Sequence, residues 1–283
     1  MKDLGLKRKI VGALLLLGAA FSLVACKKKA EEPARIGLLR LIDMSEDDVK
    51  KWTSDVAAAE GKQVPYTNPN TLIQFDDLDA MILALKAGTI DRFSLGFLTA
   101  QYIVAQDSTL ALIDKHHDPI LGYSIAMLPS HKDLRDSIDN AISDMKKEGV
   151  LDRLMKTYID EGAKNLSAVK MPSFPDAPVI KVAVTGDLPP MDLVLPNGTP
   201  AGFNTAFLAE LANRIKVNFA LVTMDSGARP LALAQGRIDM LFCFQETFGA
   251  DGKPFEFSLN NTDNLVLSQP FFMDRRAAVK LAD

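Results

Sequence analysis

The chain has 283 residues, of which 48% are hydrophobic, and a formal net charge of −4. That length fills one large domain or two of about 100–150 residues. The acidic balance argues against a nucleic-acid surface and against a basic membrane-binding face.

The chain opens with a basic segment from Lys2 to Lys9 and an apolar run from Ile10 to Ala20. The run is too short to span a bilayer as a folded helix and ends in small residues. Leu23-Val24-Ala25-Cys26 follows. This stretch resembles the lipobox of bacterial lipoproteins, which implies a signal peptide over 1–25, cleavage before Cys26 and acylation of that cysteine. Residues 26–34, with Lys27-Lys28-Lys29 and Glu31-Glu32-Pro33, read as a solvated tether. Without residues 1–25, 28 basic residues face 35 acidic ones, a net charge of −7. Only Cys243 then remains beside the lipidated cysteine, so no intrachain disulfide is expected. Cys243 lies in Met240-Leu241-Phe242-Cys243-Phe244 and reads as a buried, inert thiol. No second long apolar segment is present.

Two α/β units follow. In the first, residues 35–41 read as a strand, and Ser45 with Asp48 opens a helix to about Glu60. Strands are expected at 71–75, 90–95, 111–113 and 122–128, with helices at 77–87 and 99–105 and amphipathic helix over 132–159. Residues 162–178 carry prolines and glycines without a period and read as a linker. The second unit has strands at 179–185, 217–223 and 238–244, a helix over 205–215 capped by Asn204, and a helix near 230–234. A loop containing Gly249, Gly252 and Asn260-Asn261 leads to a last strand at 277–281. The units echo each other: residues 83–91 and 231–239 are identical at six of nine positions, at an offset of 148. Each copy reads as helix, glycine stop, strand. The lobes are set at 35–163 and 179–283, with the linker over 164–178.

Ile180-Lys181-Val182-Ala183-Val184-Thr185-Gly186-Asp187-Leu188-Pro189-Pro190-Met191 is followed by Asn197-Gly198 and by Gly202-Phe203-Asn204. These residues, with 233–239 and Ser268-Gln269-Pro270-Phe271-Phe272, resemble the first lobe of the amino-acid type of extracellular solute-binding proteins. Residues 75–91, Gly122-Tyr123-Ser124-Ile125-Ala126 and 147–152 are similar to that family's second lobe. The resemblance implies an α/β fold of two Rossmann-like lobes with a ligand cleft between them, the type 2 periplasmic-binding-protein fold. The lobes stand in reversed order here, as a circular permutation would leave them, and joining Asp283 to Arg35 would restore the family's order.

In the family an arginine holds the α-carboxylate of the ligand and an aspartate its ammonium. The segment matching the arginine is Gln245-Glu246-Thr247-Phe248-Gly249, and the aspartate position is Gly96. A free amino acid held in the usual way is therefore not expected, since its charges would be left unpaired in a dry cleft. Candidate ligand contacts at the strand ends are Ser45, Gly96, Phe97, Leu188, Met191, Asp192, Arg229, Gln245, Glu246 and Thr247. Met191 reads equally as a core residue, and Asp192 and Arg229 as solvated ones. His116-His117-Asp118 has no third metal ligand in spacing and reads as a loop. No cofactor and no metal are expected.

The leading reading is a lipid-anchored, extracytoplasmic and monomeric receptor. It would capture a small polar solute by hinge closure and pass it to an ABC permease. The alternatives are an enzyme of the cyclohexadienyl-dehydratase type, with Glu246 as a carboxyl acid of raised pKa, and an interaction lipoprotein that has lost its ligand.

Overall fold

The structure, a computed structural model, describes residues 33–40, 50, 54, 70–113, 120–160, 167–248 and 264–282. The segment read as a signal peptide with Cys26, the stretch read as a helix opened by Ser45, the His116-His117-Asp118 run and residues 249–263, read as a loop, lie outside these residues.

The first set of strands comprises β1 (Arg35–Leu39), β2 (Thr71–Phe75), β3 (Arg92–Gly96) and β4 (Leu110–Ile113). Helix α1 (Leu78–Lys86) joins β2 to β3, and α2 (Phe97–Gln106) joins β3 to β4. Asp77 caps α1, its carboxylate accepting from the Ala80 N–H at 2.7 Å. Leu78, Met81 and Leu85 fall on one face at helical spacing and are buried. They pack with Phe93, Leu95 and Val279 in a core of their own.

The second set comprises β5 (Ile120–Met127), β6 (Val179–Val184), β10 (Asn218–Thr223), β11 (Met240–Phe248) and β12 (Val266–Leu267). Between β6 and β10 a small sheet of β7 (Asp187–Leu188), β8 (Asp192–Val194) and β9 (Pro200–Ala201) precedes the next helix. Helices α3 (Lys132–Lys147), α4 (Val150–Met155) and α5 (Phe203–Ile215) supply the core of this set. Ile138, Ala141, Ile142 and Met145 of α3 meet Phe207, Leu208 and Leu211 of α5. Residues 120–160, read from sequence with the first lobe, therefore pack with the second. The segment read as a linker is docked too. Val169 donates to the Pro200 carbonyl and is buried against Ala206 and Ala209, and the Asn218 amide bonds Phe174 in both directions.

One strand pairs in both sets. In β13 (Phe272–Leu281), residues 272–275 run antiparallel to β5, and residues 276–281 run antiparallel to β3 and β4. The sequence reading saw only its end, at 277–281. The chain also passes back between Ile113 and Ile120, so it crosses from one set to the other twice. Each set thus follows one plan. Three parallel strands (β2-β1-β3, β10-β6-β11) are followed by an antiparallel strand, β13 or β5, that comes from the other part of the chain.

The sequence echo has a structural cause. Gly88 and Gly236 hold φ of +69° and +66°, with nothing within 4 Å of an added Cβ. Ile90 and Ile238 are buried. Asp91 accepts from the Arg35 N–H at 2.7 Å, and Asp239 accepts from the Lys181 N–H at 2.8 Å. Each aspartate therefore fixes the start of one parallel pair. Ile36 pairs with Arg92 and Val279 with Phe93, so the start of β1 and the end of β13 flank β3 from opposite sides. At the usual strand spacing they lie about 10 Å apart.

Gly88→Ala and Gly236→Ala should each cost about 1–2 kcal/mol, the strain of a side chain in the left-handed region, and by similar amounts in urea unfolding. A large loss at only one of them would contradict the equivalence of the two units. A chain opened ahead of Ser167, with a few glycines and serines joining Leu281 to Arg35, should keep cooperative unfolding. Its midpoint should lie within about 4 °C, a change of roughly 1 kcal/mol. Loss of cooperative unfolding would contradict the adjacency.

Candidate functional site

The carboxyl ends of the two parallel sets face each other. After β6, the Asp187 carboxylate accepts from the Leu78 N–H at the start of α1, at 3.3 Å. After β10, a Cβ built on Gly227 would lie 2.8 Å from Arg40 Cδ and 3.2 Å from Asp76 Oδ1, beyond β1 and β2. Arg40 and Asp76 form an ion pair at 2.9 Å. Leu188 packs into the core of the first set. Leu188, a candidate ligand contact in the sequence, is thus a contact between the two strand sets.

Below this contact lies a cluster of buried charge. Helix α6 (Arg229–Ala234) begins with Arg229, which is only 2% exposed and donates to the Phe242 carbonyl at 3.4 Å. Burial draws the guanidinium below its ordinary range, while the charges of Asp192 and Asp187 oppose that. Asp192 is 4% exposed and accepts from the Thr185 N–H and hydroxyl, both at 3.0 Å. Burial raises the carboxyls of Asp192 and Asp187 above the usual range. The reading of Arg229 and Asp192 as exposed residues is thus corrected: both are enclosed by the strand ends. Of the two readings of Met191, ligand contact or core residue, the structure gives the second. It is buried in the core of the second set, its carbonyl accepting from the Asn204 N–H. Asn204 does not cap its helix, which starts after Gly202, and its amide donates to Cys243 Sγ at 3.1 Å. Burial pushes the Cys243 thiol up, which disfavours the thiolate.

At the crossing strand, alternation puts Asp274 and Arg276 on one face, with Gly96 and Tyr123 beside them. Gly96 precedes α2 and has no side chain to cap it. Asp274 does this from β13, accepting from the Leu98 N–H at 3.3 Å. A Cβ on Gly96 would come within 2.7 Å of Asp274 Oδ2 and 2.8 Å of Tyr123 Oη, so the glycine admits both oxygens. The carboxylate missing at position 96 is thus replaced by one from another strand. Burial raises the Asp274 carboxyl and lowers the Arg276 guanidinium. Phe97 lies under the Arg275 guanidinium, at 4.9 Å.

Gln245, Glu246 and Thr247 extend β11 along β5, opposite Tyr123, Gly122 and Leu121. Alternation turns Gln245 and Glu246 to opposite faces. Gln245 shares the face of Tyr123, while Glu246 accepts from the Ser124 hydroxyl on the other. The expected candidates therefore do not gather at one point. Ser45 lies outside the described residues. Asp187, Gly227, Asp274 and Arg276, absent from the sequence candidates, supply much of the geometry. Among the described residues no three His, Cys, Asp or Glu side chains are grouped to hold a metal. Cations and carboxylates from both lobes meet instead, an arrangement that can bind a polar or zwitterionic solute.

Burial raises the Glu246 carboxyl, against the opposing hydrogen bond from Ser124. Just above the ordinary carboxylate range the folded chain therefore holds a proton that the unfolded chain releases. Stability should fall as pH rises through that window. Glu246→Gln keeps an acceptor for Ser124 and should flatten this part of the pH dependence of the urea midpoint. An unchanged slope would show that Glu246 does not carry it.

Residues 180–247 match the family described as bacterial extracellular solute-binding proteins, family 3. A search of the curated proteins finds no match. Among solved structures, the chain is similar to the ligand-binding component of an ABC-type import system from Staphylococcus aureus, determined with zinc bound. There the identity is 11%, the TM-score 0.42, and the match covers 89% of this chain and 66% of that one. It is also similar to the GluR0 ligand-binding core from Nostoc punctiforme in complex with L-glutamate, at 11% identity and a TM-score of 0.35, over 89% of this chain and 86% of that one. The alkanesulfonate-binding protein SsuA from Xanthomonas axonopodis, bound to MOPS, is similar at 10% identity and a TM-score of 0.39, over 88% and 65%. The chain thus spans just under two thirds of the length of two of these. Similarity at this level transfers no residue roles. The family match thus covers segment 180–247 of a chain with a mixed α/β fold.

Proposed function

We propose that this chain is a lipid-anchored receptor outside the cytoplasm that captures a small polar solute between two lobes and presents it to an ABC permease. The observation that carries this is the double crossing. Two sets of strands with separate cores are joined by β13 and by the passage into β5, and their carboxyl ends face each other. In open α/β sheets ligands bind at such ends, and two lobes on shared strands can close about them as a hinge. Charges of both signs, Arg229, Arg276, Asp187 and Asp274, suit a polar ligand more than an apolar one. The lipobox-like Leu23-Val24-Ala25-Cys26 supports the anchor. The reversed lobe order is proposed to be a circular permutation, which the placement of β1 and the end of β13 on either side of β3 supports.

The test is thermal unfolding of residues 27–283 against amino acids, amines, peptides, vitamins and organic acids. A ligand at a hundredfold its dissociation constant adds about 2.7 kcal/mol, or roughly 5–10 °C in a chain of this size. One such shift, with the ligand recovered unchanged, is expected. Conversion of a bound cyclic acid, lost in Glu246→Gln, would establish the enzyme instead. No shift across the panel would favour an interaction protein.

A further inference from the structure

The contacts that join the strand ends of the two lobes are made by the chain's own side chains, and three of them come from two short turns of the second lobe. The first is apolar. Leu188 leaves the second lobe and packs with the core that holds Leu78, Phe93 and Leu95. The second is polar. The neighbouring Asp187 carboxylate accepts from the Leu78 N–H, at the first turn of α1, where the helix dipole favours a negative charge. The third is a close approach. Gly227 lies against the Arg40–Asp76 pair, where an added Cβ would come within 2.8 Å of Arg40 Cδ and push that side chain aside. Residues 187 and 188 form one strand of a small sheet of their own, paired with Leu193 and Asp192. The turn is thus held from its own lobe and inserted into the other.

From this geometry we infer that the Asp187–Leu188 turn is a latch built into the chain, holding the lobes together until a solute displaces it. The inference rests on the receptor reading above and adds its regulation. A binding-competent state that is only partly populated lowers apparent affinity by that fraction. The latch therefore sets a threshold. A solute must supply more than Leu188 and Asp187 give up when they leave the first lobe, and weak binders are refused. Loosening the latch should tighten binding and cost selectivity.

Leu83 and Leu231 provide the readout. They are equivalent positions of the sequence echo, one on each lobe, and are 65% and 61% exposed. Spin labels at Leu83→Cys and Leu231→Cys, in the full chain carrying Cys26→Ser, report the distance between lobes by pulsed electron resonance. Cys243, a free and only partly buried cysteine, is replaced by serine as well, so that it takes no label. The parent chain should give one main distance. Leu188→Ser and Asp187→Asn should each add a longer one, with the ratio of open to closed chains raised about tenfold by the leucine change, which corresponds to about 1.4 kcal/mol. Gly227→Phe, an independent wedge against Arg40, should add the same longer distance. Cooperative urea unfolding of each variant shows that it is folded.

A longer distance in the wedge variant with none in Leu188→Ser or Asp187→Asn would overturn the latch and leave the hinged receptor standing. One unchanged distance in all three folded variants would overturn both, because the lobes would then be a single rigid body. A longer distance in the parent chain at equal weight would also overturn the latch.

Discussion

The antiparallel pairing of β13 is the constraint on which the rest depends. Residues 272–275 complete one sheet, and residues 276–281 complete the other. A strand shared in this way cannot leave either sheet without breaking a ladder of backbone hydrogen bonds, each of which leaves buried groups unpaired. It fixes the register of the two lobes, so their strand ends meet and do not slide past each other. It also carries charge to the junction. Asp274 and Arg276 are two residues apart on one face, beside Gly96 and Tyr123.

That placement explains an apparent loss. By resemblance, the family's ligand-holding aspartate falls at residue 96, where this sequence has a glycine. The space is not idle. The Asp274 carboxylate enters it from the neighbouring strand and caps α2 in place of the side chain that Gly96 lacks. Arg229 likewise stands buried at the start of α6, between strand ends, where burial and the charges of Asp192 and Asp187 act on it in opposite directions. The charges are present in the junction, but they come from other positions in the chain.

The architecture was legible in sequence because it rests on local signals. Leu78, Met81 and Leu85 repeat at helical spacing, β2 at 71–75 was read at its full extent, and the echo at 83–91 and 231–239 marked a shared unit. The structure supplies the reason for five of its six identities: alanine and leucine in the helix, a left-handed glycine, a buried isoleucine and an aspartate that clamps the next strand. The site was much less legible. Met273-Asp274-Arg275-Arg276 is too polar to read as strand by composition, and only the crossing register gives it that role. Met191, Asp192 and Arg229 were placed near the right end of the fold, yet their burial depends on contacts with Thr185, Phe242 and Asn204, distant in sequence for two of the three. In sequence, Gln245 and Glu246 stand at the end of an apolar strand. They fall on opposite faces because that strand continues to Phe248.

The central claim is that two lobes, joined by shared strands, move relative to each other when a small solute binds. The most direct measurement is the distance between labels at residues 83 and 231 while the tightest solute from the thermal screen is titrated. The account predicts a saturable change in the distance distribution, with the same midpoint as the thermal stabilisation and the solute recovered intact. A solute that saturates the protein while the distribution stays fixed would contradict it.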